Sequence, residues 1–332
     1  MLLLLKRMED KSQKSSTTKK ILLSFGILIV VLAFVLLLKQ FFPLDKILLL
    51  NPKGIIALKE RNLMILATLL MLIIVIPVFV ATFLIVWKYR ADKNGKTNAV
   101  YQPEWEHNVT IETIWWLIPL AIVFVLSVIT WQSSYALSPY KPLASESGAK
   151  PIIIQVVALD WKWLFIYPAE NIATVNFVEF PAGTPVNFEL TSDAPMNSFF
   201  IPQLGGQMYA MPGMSTDLHL ESFKPGTYNG LSANISGAGF AGMKFVAKAV
   251  SQTDFDQWLA TVKRSPNVLS LAQYNKLAAV SQNNPVTIYS SVEPNLYASE
   301  VEKYMMSSSS MQEMPATQAM PAASMSGMMM GN

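Results

Sequence analysis

Three apolar runs, none interrupted by a charge, set the pattern of the N-terminal part of the chain. They cover residues 21–38, 63–87 and 113–131, with 18, 25 and 19 residues. A helix needs about 20 apolar residues to cross a bilayer, so the second and third runs predict transmembrane helices. Pro77 and Pro119 do not argue against this, because membrane helices tolerate proline. Trp87, Trp115, Trp116 and Trp131 stand at the ends of these runs, where an interfacial belt places them. From residue 150 the pattern changes. "PIIIQVVALDWKWLFIYP" is β-branched and aromatic without helical period, and "ATVNFVEFPAGTPVNFELTSD" alternates and breaks at a Pro-Ala-Gly-Thr-Pro turn. Short strands punctuated by Pro and Gly predict a β-sandwich or barrel. Beyond Thr253 the texture is helical, and Asp254 is the predicted cap of a helix through Trp258 and Val262.

Charge gives the topology. Lys88, Arg90, Lys93 and Lys96 follow the second run directly, which predicts a cytoplasmic loop over 88–112 and places residues 139–332 on the outside. Lys39, Lys46, Lys53, Lys59 and Arg61 in the preceding connector argue the other way, but the cluster abutting the span weighs more. Residues 1–20 form a basic, cytoplasmic N-terminus, and 21–38 read either as a retained signal anchor or as a cleaved signal peptide. Residues 1–138 carry 15 basic and 8 acidic side chains, and residues 139–332 carry 10 and 14. A basic membrane half joined to an acidic outer half is not the balance of a nucleic-acid-binding protein.

Composition removes several chemistries. The chain has no cysteine, which excludes disulfides, thiolate metal sites, cysteine nucleophiles and lipid-bearing cysteines. Its two histidines, His107 and His219, leave little for imidazole ligation, and no paired histidines stand within the spans to hold a haem. Residues 305–332 are of low complexity and hold 9 of the 18 methionines, which predicts a disordered tail. Thioethers are soft ligands for Cu(I), but a solvated tail of biased composition weighs more.

"GAGFAG", residues 237–242, matches G-x-G-x-x-G. A dinucleotide turn needs a following helix and an acid about 20 residues on. Here "MKFVAKAV" follows, which reads as a strand, and Asp254 and Asp256 come too early. The segment therefore reads as a glycine turn between strands.

The same stretch resembles the copper loop of subunit II of the haem-copper oxidases. In that family a cupredoxin-like barrel binds two copper ions through C-x-E-x-C-x-x-x-H-x-x-M and a histidine on an earlier strand. The matching positions here are Ser232, Asn234, Ser236, Phe240 and Met243, with Asn197 in "PMNSFFIP" where the first histidine stands. Only Met243 retains a ligand of the pattern. The chain is more specifically similar to subunit II of the cytochrome-bo-type ubiquinol oxidases, through "NPKG", "WKYRA", "ETIWWLIP", "LDWKWLFIYP", "MNSFFIPQLGGQMYAMPGM" and "FAGMKF", from about residue 51 to about residue 305. Members often carry a lipobox cysteine that this chain lacks.

The resemblance implies a membrane helical hairpin plus an N-terminal signal-anchor segment, then an all-β cupredoxin-like barrel over 139–250 without copper. A short helical, aromatic-rich extension over 253–304 completes the expected fold. It implies a subunit of a proton-pumping ubiquinol oxidase of the bacterial inner membrane, with the outer domain periplasmic. No cofactor is expected in this subunit; haem and Cu-B are expected in the partner subunit I. Expected partners are subunit I, further membrane subunits and, through the complex, ubiquinol, but not cytochrome c. Glu112 corresponds to a glutamate at the mouth of a proton channel into subunit I, while Glu104, Glu106 and His107 read as a solvated loop. Trp161 and Trp163 flank Lys162 on a strand and share a face. In copper-bearing relatives an aromatic residue here takes electrons from cytochrome c, but packing is the better reading without copper. The alternative function is a membrane-tethered periplasmic copper-binding or copper-delivery protein.

Overall fold

The structure is a computed structural model that describes residues 47–90, 107–143, 148 and 150–312. The basic N-terminus, the run at 21–38, most of the predicted cytoplasmic loop with Glu104 and Glu106, and residues 313–332 lie outside the described residues. The chain divides into two units, residues 1–51 and 52–332. The described part of the first holds one 3-10 turn, Leu48–Leu50.

The second unit begins with two long helices, α1 (Ile55–Tyr89) and α2 (Val109–Ala136). Both are long and apolar enough to cross a membrane. Both also outrun the charge-free runs that predicted them, 63–87 and 113–131. A charge ends an apolar run but not a helix, whose ends are set by capping. Helix α1 starts after an extended Gly54 and runs through Glu60 and Arg61, while α2 starts at Asn108, whose side chain accepts from Ile111 N at 3.0 Å. The first turn of α1 is fixed to the outer domain: Lys53 N donates to Gln203 O, Ala57 N donates to Leu204 O, and Ala57 is buried.

The outer domain contains β1 (Ile152–Leu159), β2 (Lys162–Tyr167), β3 (Ile172–Val175), β4 (Phe177–Pro181), β5 (Val186–Ser192), β6 (Asn197–Phe200), β7 (Met208–Ala210), β8 (Thr216–Leu220), β9 (Gly226–Ser232), β10 (Lys244–Val250) and β11 (Thr287–Tyr289). They form two sheets, ordered β11-β3-β2-β1-β5-β8 and β4-β10-β9-β6-β7. The pairs β1–β5 and β4–β10 are parallel and the rest are antiparallel. Between the sheets lies an aromatic core. Phe199 and Phe245 stack at 4.9 Å, and Trp163 meets both edge-on.

Strand β2 shows why a continuous apolar run was needed. All six of its residues are buried. Trp163, Phe165 and Tyr167 face the inter-sheet core, whereas Leu164 and Ile166 join a second cluster with Tyr274, Tyr289, Leu296 and Tyr297 of the C-terminal extension. A strand covered on both faces loses its apolar–polar alternation.

The extension contains α3 (Gln252–Val262), α4 (Leu271–Ala278) and α5 (Leu296–Gln312). Two details differ from expectation. The cap of α3 is Ser251, not Asp254. Ser251 accepts from Asp254 N and donates to the Asp254 carboxylate at 2.7 Å, a reciprocal arrangement that places the acid inside the first turn. Helix α5 continues to Gln312, into the segment predicted as disordered from 305, because neither glycine nor proline interrupts residues 296–312.

Candidate functional site

The loop between β9 and β10 carries the positions singled out in the sequence. Asn197 opens β6 and Ser232 closes β9, and both are buried. Ser232 Oγ donates to Asn197 Oδ1 at 3.1 Å, with Asn234 O as a second acceptor at 3.3 Å. Asn197 Nδ2 donates to Pro195 O and Asn234 Nδ2 to Met196 O, each at 2.8 Å. Phe240 starts a 3-10 turn, and the buried Met243 follows it on the way to β10. Met243 O accepts from Ser232 N across the loop at 3.1 Å. Direct side-chain hydrogen bonding joins Asn197 to Ser232. Asn234 joins this frame through its carbonyl and its side-chain amide, Phe240 O accepts from Met243 N, and Ser236 Oγ is buried without a hydrogen-bond partner.

These residues do not fit copper. The set offers amides, hydroxyls, a phenyl ring and one thioether, with no thiolate or imidazole to hold a soft ion. The polar atoms of Asn197, Ser232 and Asn234 are engaged with one another and with backbone carbonyls. Among the described residues no group of three or more His, Cys, Asp or Glu side chains could hold a metal ion.

The glycines of the loop have another purpose. Trp161 does not lie on β2 beside Trp163; it occupies the β1–β2 turn at φ +59°. The strict alternation assumed for the two tryptophans fails because the hairpin turns between Asp160 and Trp161. From that turn the indole lies against the loop, donating Nε1–H to Ser236 O at 3.3 Å. A Cβ on Gly239 would stand 2.3 Å from Trp161 Cδ2, and Gly237 has φ +120°. The loop lacks side chains where the indole is seated, and a strand follows it, as the turn reading expected.

Glu112 sits in the first turn of α2. Its Oε1 accepts from Asn108 N and lies 3.3 Å from His107 Nδ1. The carboxylate therefore closes a cap with Asn108, and its side chain remains 39% exposed beside an 82% exposed His107. The carboxylate is thus part of the helix cap, at an exposed helix end beside an open imidazole. His219 lies on β8, as the alternation implied, and its Nδ1 donates to Pro139 O at 2.9 Å, tying the sheet to the end of α2.

Sequence reasoning missed the polar lock of the extension. Asp193 Oδ1 accepts from Lys303 Nζ at 2.5 Å and from Tyr304 OH at 2.7 Å, while Oδ2 accepts from Tyr274 OH at 3.0 Å. Burial opposes ionisation of Asp193, but these donors prevail and hold its carboxyl below the usual range. Burial and the Asp193 charge push Glu300 the other way, upward, although Lys303 pairs with it at 3.2 Å. Lys162 adds a second tie. It is buried in β2, with its ammonium donating to Ala279 O at 2.9 Å and Ser281 Oγ at 2.6 Å, and burial lowers its pKa. Only the Glu300–Lys303 spacing of three was visible locally in the sequence.

Comparison with known proteins agrees with this layout. Residues 131–250 match the family model for the cytochrome c oxidase subunit II periplasmic domain, and residues 263–308 match the COX aromatic rich motif. The chain is 54% identical to cytochrome bo(3) ubiquinol oxidase subunit 2 of Pseudomonas putida over 77% of its length and 80% of the relative's. It is 53% identical to the protein of the same description in Pseudomonas aeruginosa, over 77% and 76%. It is 48% identical to ubiquinol oxidase subunit 2 of Acetobacter aceti, over 77% and 82%.

Proposed function

We propose a role that proceeds from one premise: this chain belongs to the family of ubiquinol oxidase subunit 2. In this reading it is the second subunit of a proton-pumping oxidase of the bacterial inner membrane, with residues 139–332 on the periplasmic side. The hairpin and barrel brace subunit I, which holds the haems and Cu-B and carries electrons from ubiquinol to oxygen. The observation that carries the reading is the closed hydrogen-bonded frame of Asn197, Ser232 and Asn234. Without thiolates or imidazoles the outer domain has no relay for an electron from cytochrome c. Ubiquinol is a membrane-soluble donor that can reduce the partner subunit directly.

Glu112 has a separate part. Its wet, capped carboxylate at the cytoplasmic end of α2 takes protons from bulk water and passes them toward subunit I. The test is steady-state turnover of the purified complex with ubiquinol or with reduced cytochrome c, in the wild type and in Glu112→Gln. Turnover with ubiquinol only, slowed on the order of tenfold by Glu112→Gln at unchanged haem content, is expected, since water at the interface replaces part of a proton carrier's usual contribution. Rapid turnover with cytochrome c alone would overturn the donor assignment. Wild-type rates in Glu112→Gln across a range of pH would leave Glu112 as a helix cap only.

A further inference from the structure

The two long helices leave a cleft between them at the end nearer the barrel. Its larger part, about 530 Å³, is lined by Leu63, Leu66 and Ala67 of α1 and by Leu126 and Ile129 of α2, closing upward onto Thr130, Ser133 and Tyr140. An adjoining space of about 300 Å³ shares Leu63, Leu66, Ser133 and Leu137 with it and is lined as well by Lys59 and Asn62. Arg61 Nη2 donates to Asn62 Oδ1 at 3.1 Å, so a second cation stands beside that end.

The chemistry is graded along the helix axes. At 1.5 Å per residue, Lys59 lies about 6 Å below the start of α1, and Ala67 about 18 Å below it. On α2, Ser133 lies about 5 Å from the end and Leu126 about 15 Å from it. Cations, an amide and hydroxyls thus occupy the level of the headgroups, and purely aliphatic side chains occupy the level of the acyl chains.

We propose that this cleft binds one anionic phospholipid from the leaflet facing the barrel. Its phosphate sits among Lys59, Asn62 and Ser133, within the field of Arg61, and one acyl chain lies between Leu63, Leu66 and Ala67 on one side and Leu126 and Ile129 on the other. Lipid tails are as apolar as leucine, so the groove gains no hydrophobic energy over the bilayer. The headgroup contacts therefore decide occupancy. Two cations favour a phosphate over a neutral quinol ring, which offers no charge to meet them. A covering helix from another subunit would have to bring carboxylates to the same place.

The experiment uses the purified oxidase complex. Delipidated complex is titrated with phosphatidylglycerol or phosphatidylcholine in detergent, and bound lipid is counted by native mass spectrometry, with quinone measured in parallel. The expected result is retention of one phosphatidylglycerol in preference to phosphatidylcholine. It should weaken about fivefold for each of Lys59→Gln and Arg61→Gln and be lost in Ala67→Trp, which fills the cleft. Haem content reports assembly, and the two charge variants decide the matter if Ala67→Trp does not assemble. Equal retention of both lipids by the wild type, or unchanged retention in both charge variants, would overturn the proposal. So would loss of quinone rather than phospholipid in Ala67→Trp, or cross-linking of a photoreactive residue at position 67 to another subunit.

Discussion

Replacing Asp193 with Asn should release α5 from the barrel while leaving the sheets intact. The carboxylate is 6% exposed and accepts from Lys303, Tyr304 and Tyr274, so three donors from two helices converge on one group. Hydrogen bonds to a charged acceptor contribute about 1.5–3 kcal/mol each. Two discounts apply. Asn retains a carbonyl oxygen that can accept from one donor, and Lys303 is half exposed, so water recovers much of its ion pair. What remains is about 2–4 kcal/mol, local to the extension. Amide hydrogen exchange on the purified complex reads this directly, because protection in a segment reports the free energy of its local opening. At about 1.4 kcal/mol per tenfold, α5 and α4 should exchange about 30- to 1000-fold faster, with β1, β2 and β10 unchanged. Unchanged exchange in α5, or equal loss across the β-core, would refute the assignment of Asp193 as the lock.

The same cluster sets a pH dependence. Asp193, depressed in the folded protein, contributes stability that is complete above its ordinary 3.8 and is lost as pH falls through its lowered value. Glu300, raised in the folded protein, contributes stability that is complete below its ordinary 4.5 and is lost as pH rises through its raised value. Protection of α5 should therefore peak between about 3.8 and 4.5, and Glu300→Gln should flatten the decline on the alkaline side, as exchange measured against pH would show. Gly239→Ala should push the Trp161 indole from its seat, costing about 1–3 kcal/mol as overpacking does; an unchanged tryptophan emission and melting temperature would contradict this. Ser232→Ala should cost about 1–3 kcal/mol by stranding the buried Asn197 Oδ1, with ubiquinol turnover per haem unchanged; a drop in turnover at normal assembly would show that the loop acts in electron transfer after all.

The apolar runs made both long helices legible, because an uninterrupted apolar stretch of that length favours one continuous helix, long and apolar enough to cross a membrane. Their true ends were not, since Gly54 acts through its extended backbone and Asn108 through a side-chain cap rather than through hydropathy. The run "KWLFIY" announced a strand covered on both faces but not what covered it. Leu164 and Ile166 meet Tyr274 and Tyr297, more than a hundred residues away. Asp193 and Lys303 are 110 residues apart, and no local spacing relates them. Trp161 was misplaced for a different reason. A tryptophan at positive φ is rare enough that no residue pattern predicts it, and only the glycines opposite hinted that something bulky had to be seated there.

The loop separates two requirements that a copper site ordinarily combines. Metal ligation demands particular donor atoms, whereas holding β9 against β6 and β10 demands only that buried polar groups be paired. Ser232 and Asn197 meet the second demand without the first: the hydroxyl donates to the amide oxygen, Ser232 N donates to Met243 O, and beside them Ala233 N donates to Ser198 O. Trp161, seated on the glycines and bonded to Ser236 O, keeps the loop closed from the other side. A loop closed in this way is held by hydrogen bonds and packing from both sides. In the role proposed above, a loop held in this way suits a brace for a neighbouring catalytic subunit. Ligand geometry, by contrast, is needed only while an electron must pass through the loop. In the proposed reading, the residues at 197, 232, 234, 236 and 240 leave no electron path through the loop while keeping a support, which is the combination expected where the reductant arrives within the membrane.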